Sequence, residues 1–557
     1  MGRHLSQISV RYSGFMGRDG TVEGRGGPIF GTAFQCRIGA AIDSGGQPNM
    51  LRARMMNLQD IRRVAILVLG ALALGAAACR FPQRPPGASP TPGTHTPTAA
   101  QAASAALSEA SATPPFVLIV SPTLESGECG SGDRTRYDLD VIFEYASQRL
   151  QVRESISYFN ASPDSLESLV LVVEANRRQG VFSLGEVRLA DGEAAAPFVL
   201  DDARLEILLH EPLLPGHTLH LALTYSLDIP PRHAPLGYTP LQTNLGDWYP
   251  FVTAYDPERS WIVHDPAPVG ESLVEESADF AVHIEVVDPP EGLTIAASGA
   301  EAAIANGEYL LCAARSFAWS ASTFYETLST TAGEAEVNLY VLAGDVAAGP
   351  SALSAAAGSV EAFSSLFAPY PHRSLAVVQA DFSDGMEYDG LVFIGGEFFG
   401  DYPDSPANYL TTLTAHEVAH QWWYGLAGND PAAEPWLDEA LATYSELVFY
   451  ERAHPELRDW WWDFRVERFD PHGWVDSTSY ELGAFRPYVN AVYLRGALFL
   501  EEIRRAMGDE GFFAFLQSYL ATGAHRVNTA EDLFEAMDPW GGEELSVIRA
   551  RYFRSIP

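Results

Sequence analysis

The stretch Thr414-Ala-His-Glu-Val-Ala-His-Gln-Trp-Trp423, followed by Trp436-Leu-Asp-Glu-Ala-Leu-Ala-Thr-Tyr444, decides how this chain is read. His416 and His420 stand four apart, so a helix sets them on one face, about 6 Å apart along its axis, where both rings can offer a nitrogen to one ion. Glu417, beside the first histidine, can reach a metal-bound water as general base. A catalytic zinc takes a third protein ligand and keeps a fourth position open. Glu439, on the next predicted helix, is placed to be that ligand. The competing reading is a solvated helix with two histidines and an unrelated acidic helix after it. The longer zinc signature, with Gly and a third His further on, is excluded because positions 423 and 426 hold Trp423 and Leu426.

Around this stretch the hydrophobic period changes. From residues 137 to 326 it is two, as in Asp138-Leu-Asp-Val-Ile-Phe-Glu-Tyr145, Leu169-Val-Leu-Val-Val173, Leu205-Glu-Ile-Leu-Leu209, Leu219-His-Leu-Ala-Leu-Thr-Tyr225 and Ala281-Val-His-Ile-Glu-Val-Val287. Such runs, broken by Gly, Pro and Asn, predict an antiparallel β domain. After Ala332 a strand near 338–342 leads into an Ala-rich helix over 352–367, and strands follow at 374–379 and 391–394. Helices are expected near 406–425, 436–452, 490–507, 510–521 and 529–537, with apolar spacing of three or four. A small sheet followed by helices, with the metal motif on the first long one, is the α+β plan of thermolysin-like domains.

With these residues in view, the chain resembles the M1, or aminopeptidase N-like, zinc metallopeptidases of the gluzincin type. Their mark is His-Glu-x-x-His, eighteen residues, then Glu; here eighteen residues separate His420 from Glu439. Trp436-Leu-Asp-Glu-Ala-Leu-Ala is similar to the family's Trp-Leu-Asn-Glu-Gly-Phe-Ala. Asp384-Gly-Met-Glu-Tyr388 resembles its Gly-Ala-Met-Glu-Asn, with Met386 and Glu387 in register and Tyr388 where the family has Asn. Tyr493-Leu-Arg-Gly496 matches its Tyr-x-x-Gly. Gly246-Asp-Trp-Tyr-Pro250 and Arg315-Ser-Phe-Ala318 resemble segments of its N-terminal saddle-shaped β domain, with Ser316 in place of the usual Asp.

The resemblance implies one Zn²⁺ held by His416, His420 and Glu439, Glu417 as base, and Tyr493 as the phenol that stabilises the oxyanion, with Tyr488 as a second tyrosine at family spacing. It implies that Glu387 binds the free α-amino group of a peptide, beside Met386, which makes cleavage exo rather than endo. Full-length relatives carry a further helical domain over the active site; no residues remain for one here, and a more open cleft is expected. Two other functions stay open: another hydrolysis on the same metal site, such as of an epoxide, and a catalytically idle lipoprotein that binds peptides or proteins.

Composition narrows the class. The net charge of −37 argues against nucleic acid, which asks for basic patches. All 35 basic residues are arginine, which excludes Schiff-base and P-loop lysine chemistry. The Arg, Ala and Gly bias points to a high-GC bacterial source. Residues 1–55 are expected to be an unstructured upstream extension. Residues 56–79 read as a signal peptide: Arg62-Arg63, fifteen apolar or small residues from Val64 to Ala78, then Cys79 in a lipobox-like setting. Fifteen is short of the roughly 20 a membrane span needs. A lipidated Cys79 places the protein outside the cytoplasm on a bacterial membrane; an uncleaved signal anchor is the alternative. The Pro-, Ala-, Ser- and Thr-rich residues 80–115 are expected to be a disordered tether. Domains are expected at 116–330, β-rich, and 331–557, catalytic. Cys129 and Cys312 are open to a disulfide or to two free thiols.

Overall fold

Alternating burial along the strands builds the N-terminal sheets, and the computed structural model describes residues 129, 133–189, 196–301, 307–400 and 402–555. The extension, the signal segment with Cys79 and the tether all lie outside the described residues. Every one of the five period-two runs is a strand. Thr135–Glu144 and Arg149–Phe159 are buried at every second residue, as a half-covered sheet requires. They belong to a seven-stranded sheet in the order Ala300–Glu301, Glu308–Ala314, Ala278–Val287, Thr135–Glu144, Arg149–Phe159, Thr218–Asp228, Phe182–Leu189. Its pairs are antiparallel except that Thr135–Glu144 runs parallel to Ala278–Val287. Parallel neighbours need a long crossover, and the chain between these two supplies all the strands of one further four-stranded sheet and two strands of another. Cys129 and Cys312 are disulfide-bonded, with Cα atoms 5.3 Å apart.

One residue of this domain breaks its own pattern. Glu154 sits on the buried face of Arg149–Phe159, fully buried beside the Tyr225 hydroxyl. Burial raises its pKa well above the ordinary 4.5. The unfolded chain therefore ionises from about pH 4.5 upward while the folded chain does not, so this group subtracts stability as pH rises. Glu154→Met should stabilise the protein by about 1–3 kcal/mol at pH 8 and by less at pH 4, read from thermal unfolding at both. An equal gain at the two pH values would show that ionisation plays no part.

The second part is built on a five-stranded sheet, ordered Tyr325–Ala332, Ala335–Leu342, Ser374–Ala380, Leu391–Gly395, Gly385–Met386. Its first strand straddles residue 331. Ser374–Ala380 and Leu391–Gly395 are buried throughout, as central strands covered on both faces are. The Ala-rich helix Gly349–Leu366 packs Ala352, Ala356, Val360 and Phe363 into the same core as Val418, Leu437, Leu441 and Phe499.

Three expected helices are bounded differently. The helix expected over 406–425 runs only Tyr409–Ala419; Asn408 caps its start by accepting the Thr411 N–H at 3.0 Å, and beyond His420 the chain turns back on itself. The helices expected at 490–507 and 510–521 form a wide π-type turn, Val489–Leu494, followed by Arg495–Gly523, which kinks at Gly508 with φ +74°. Glycine carries that backbone without a Cβ clash.

Candidate metal centre

The helix Tyr409–Ala419 and the helix Trp436–Ala453 pack side by side, and this brings the three expected ligands together. One donor atom each from His416, His420 and Glu439 lies within 4.8 Å of the other two. His416 Nε2 is 3.2 Å from His420 Nε2 and 3.2 Å from Glu439 Oε2; His420 Nε2 is 3.6 Å from the same oxygen. All three residues are buried. The opposite ring nitrogens are already spoken for. His416 Nδ1 is 2.9 Å from Glu446 Oε1, and His420 Nδ1 is 3.1 Å from the Trp423 carbonyl. Each partner is an acceptor, so Nδ1 carries a proton and Nε2 is the nitrogen left to face an ion. Two imidazole nitrogens and one carboxylate oxygen with oriented second partners are the donor set of a zinc site with a position left open.

Charge in the centre is concentrated. Burial disfavours a charged His416, yet hydrogen bonds to Glu439 and Glu446 raise its pKa to about 9. Burial works against Glu439 as well, but both imidazoles hold it well below the carboxylate range. Glu417, 4% exposed, is pushed up to about 8 by burial and then by Glu387. In the cation-free protein these carboxylates and imidazoles pair with one another through protons; the same atoms are the ones that would grip a divalent ion.

Glu387 follows the edge strand Gly385–Met386 and reaches to 4.0 Å from His420 Nε2. No hydrogen bond to its carboxylate oxygens occurs among the described residues apart from what its own backbone supplies. Tyr493, on the π-type turn, stacks parallel to His416 at 5.9 Å and donates its hydroxyl proton to Glu439 Oε1. Burial, and next the Glu439 charge, raise its pKa well above 10. Tyr488 is fully buried, its ring 5.6 Å from that of Tyr493. A cavity of about 470 Å³ is lined by Met386, Glu387, Glu417, Tyr493 and the metal triad. Tyr388 points elsewhere, its hydroxyl donating to Asp247 Oδ2 at 3.1 Å.

Three contributors carry no local sequence signal of their role. Glu446 accepts from the Trp461 indole at 2.9 Å and from Arg465 at 2.9 Å while holding His416; its only mark is its place two turns after Glu439 on the same face. Arg315, 2% exposed, donates to the carbonyls of Tyr424 at 2.6 Å, Glu275 at 2.7 Å and Arg526 at 2.8 Å. It thereby ties the loop after the histidine helix to the N-terminal sheets. Ser316 accepts the Asp389 N–H at 3.4 Å and lines a smaller cavity beside Glu387. Glu446→Gln, which loses the charge but keeps the shape, should weaken zinc binding about tenfold, read by competition with a zinc-sensitive dye. Unchanged affinity would mean that His416 needs no charged partner.

The three converging donors suit a divalent metal ion of the zinc type. Residues 352–552 match the family model described as the peptidase family M1 domain. Among curated proteins it is similar to aminopeptidase M1 of Arabidopsis thaliana, 27% identical over 232 residues that cover 39% of this chain and 26% of that protein. It is also similar to aminopeptidase N of Lactococcus lactis subsp. cremoris, 26% identical over 198 residues, 32% of this chain and 23% of that one. The matched region thus spans about a quarter of these relatives' length. Among solved structures, the M1 zinc metallopeptidase of Deinococcus radiodurans is similar at 21% identity and a TM-score of 0.52, covering 76% of this chain and 94% of that one. A two-domain M1 zinc metallopeptidase mutant bound to L-arginine is similar at 20% identity and a TM-score of 0.54, covering 76% and 95%. At these identities the structural likeness concerns the fold, a two-domain one, and zinc is the metal this family implies.

Proposed function

We propose that the protein is a zinc-dependent aminopeptidase that holds one ion per chain and removes the N-terminal residue from peptides. The observation that carries this is the convergence of His416, His420 and Glu439, with Glu387 at 4.0 Å from His420 Nε2 in the same cavity. A relative of this fold from Deinococcus radiodurans has been solved with a Tyr-Ser-Ala substrate, which supports peptides as the substrate class. We read the N-terminal sheets as the family's saddle-shaped domain.

Zinc, when bound, supplies Lewis acidity toward the scissile carbonyl and brings the pKa of a water ligand down to roughly 7. The chain's own groups do the rest. Glu417 takes the proton of the attacking water and delivers it to the leaving amine. Tyr493 keeps its proton, because burial opposes the phenolate, and so remains a donor for the oxygen on which negative charge develops. Glu387 presents its carboxylate to the α-ammonium of the substrate. That contact exists only for a free N-terminus, and it is what makes cleavage exo.

A panel of fluorogenic aminoacyl amides, run with and without chelator, tests this. Release that the chelator abolishes and zinc restores is the expected result. Equal turnover of N-acetylated peptides would remove Glu387 as the amine anchor, and binding of peptides without turnover would leave a peptide-binding module.

A further inference from the structure

A second cavity, of about 200 Å³, opens beside the metal centre and shares Gly270, Glu271, Met386 and Glu387 with it. Glu174, Asp247 and Glu275 complete its polar wall, and no arginine or histidine lines it. Glu174 is neutralised by Arg177 at 2.6 Å. The others are not. Glu271 makes no hydrogen bond or ion pair with any described residue. Asp247 receives only the Tyr388 hydroxyl, at 3.1 Å, on one oxygen. Glu275 is 6% exposed; the Tyr424 hydroxyl occupies one of its oxygens at 2.5 Å, and the other has no partner among the described residues. Part-buried Asp247 and Glu271 without a counter-charge, beside buried Glu275, make a wall that is costly until a cation arrives. Leu273, Met386 and the Tyr388 and Tyr424 rings form the apolar part of the wall, which suits an aliphatic stem leading to a charged tip.

We propose that this acidic cavity receives the side chain of the substrate's first residue and selects arginine, and next lysine, at that position. The inference rests on the aminopeptidase reading, since it is an α-amino group at Glu387 that points the first side chain into the adjoining cavity. A guanidinium satisfies Glu271, Asp247 and Glu275 together through its planar fork, whereas an ammonium meets them as a single point, hence arginine before lysine. A leucine side chain fills the apolar part and leaves the carboxylates unpaired, which is the stronger form of discrimination.

Two measurements on the full chain with zinc decide it. In the first, kcat/KM is compared for arginyl and leucyl fluorogenic amides in the wild type, Asp247→Asn and Glu271→Gln. The arginine-to-leucine ratio should be about tenfold or more in the wild type and fall about tenfold in each variant. Leucine turned over as well as arginine, or a ratio that neither variant moves, overturns the proposal and leaves the peptidase reading intact. In the second, binding of L-arginine amide and L-leucine amide is measured by calorimetry, without need of turnover. If no amide is hydrolysed, the peptidase reading fails. The cavity is then upheld by tighter arginine amide binding that Asp247→Asn abolishes, and overturned by equal binding of the two.

Discussion

Glu417→Gln should leave zinc content unchanged and lower kcat for aminoacyl amides by about 10³- to 10⁴-fold, a loss of roughly 4–5 kcal/mol of transition-state stabilisation. The substitution keeps the shape of a side chain that is 4% exposed and is not one of the three converging donors, so folding and metal binding should be spared. On the proposed mechanism, what disappears is the carboxylate that takes a proton from water and carries it to the amine. The amide of glutamine accepts a hydrogen bond but takes no proton at working pH. Metal analysis beside steady-state kinetics checks both halves of the expectation. Near-wild-type rates would assign the base to another group, and loss of zinc would mean that Glu417 supports the site rather than the reaction.

Arg315→Leu should destabilise the protein by about 3–5 kcal/mol and lower the melting temperature on the order of 10 °C. The guanidinium is the donor for the backbone carbonyls of Tyr424, Gly425, Glu275 and Arg526, at 2.6 to 3.2 Å. Leucine leaves them buried and unpaired. The loop it holds is strained: Tyr424 has φ +104°, in the region L side chains avoid. That same loop contains the Trp423 carbonyl that fixes the His420 ring. The variant should therefore bind zinc more weakly as well, which separates it from a substitution that only loosens packing. Thermal unfolding and a zinc titration give the two readings. A melting temperature within a degree or two of wild type would show that water replaces the arginine at those carbonyls.

Much of the centre was legible because its donors are encoded at local spacing. His416 and His420 are one helical turn apart, and Glu439 is a first-turn residue of the next helix; both relations survive in any fold that keeps the helices. The strands were legible for the same reason, since a half-buried sheet writes period two into its residues. The histidine helix was read too long, to residue 425, because Trp422, Trp423 and Tyr424 continue an apolar pattern. The burial is real, all three being buried, but it is reached in a turned loop held by Arg315. The two C-terminal helices were divided near the right place, Gly508, although they continue as one kinked rod.

The sequence by itself determined the spacing of His416, His420 and Glu439, the place of Glu417 beside the first histidine and the order of sheets before helices, since each follows from periodicity or spacing within one or two elements. Only the tertiary structure decided which groups orient the histidines and what surrounds Glu387. Glu446 reaches His416 across 30 residues, Arg315 reaches Tyr424 across 109 and Tyr388 reaches Asp247 across 141. The acidic cavity, likewise, is assembled from the sheets and the edge strand together. Contacts closed over such separations leave no periodic trace in the chain, because chain folding rather than backbone geometry brings them within reach.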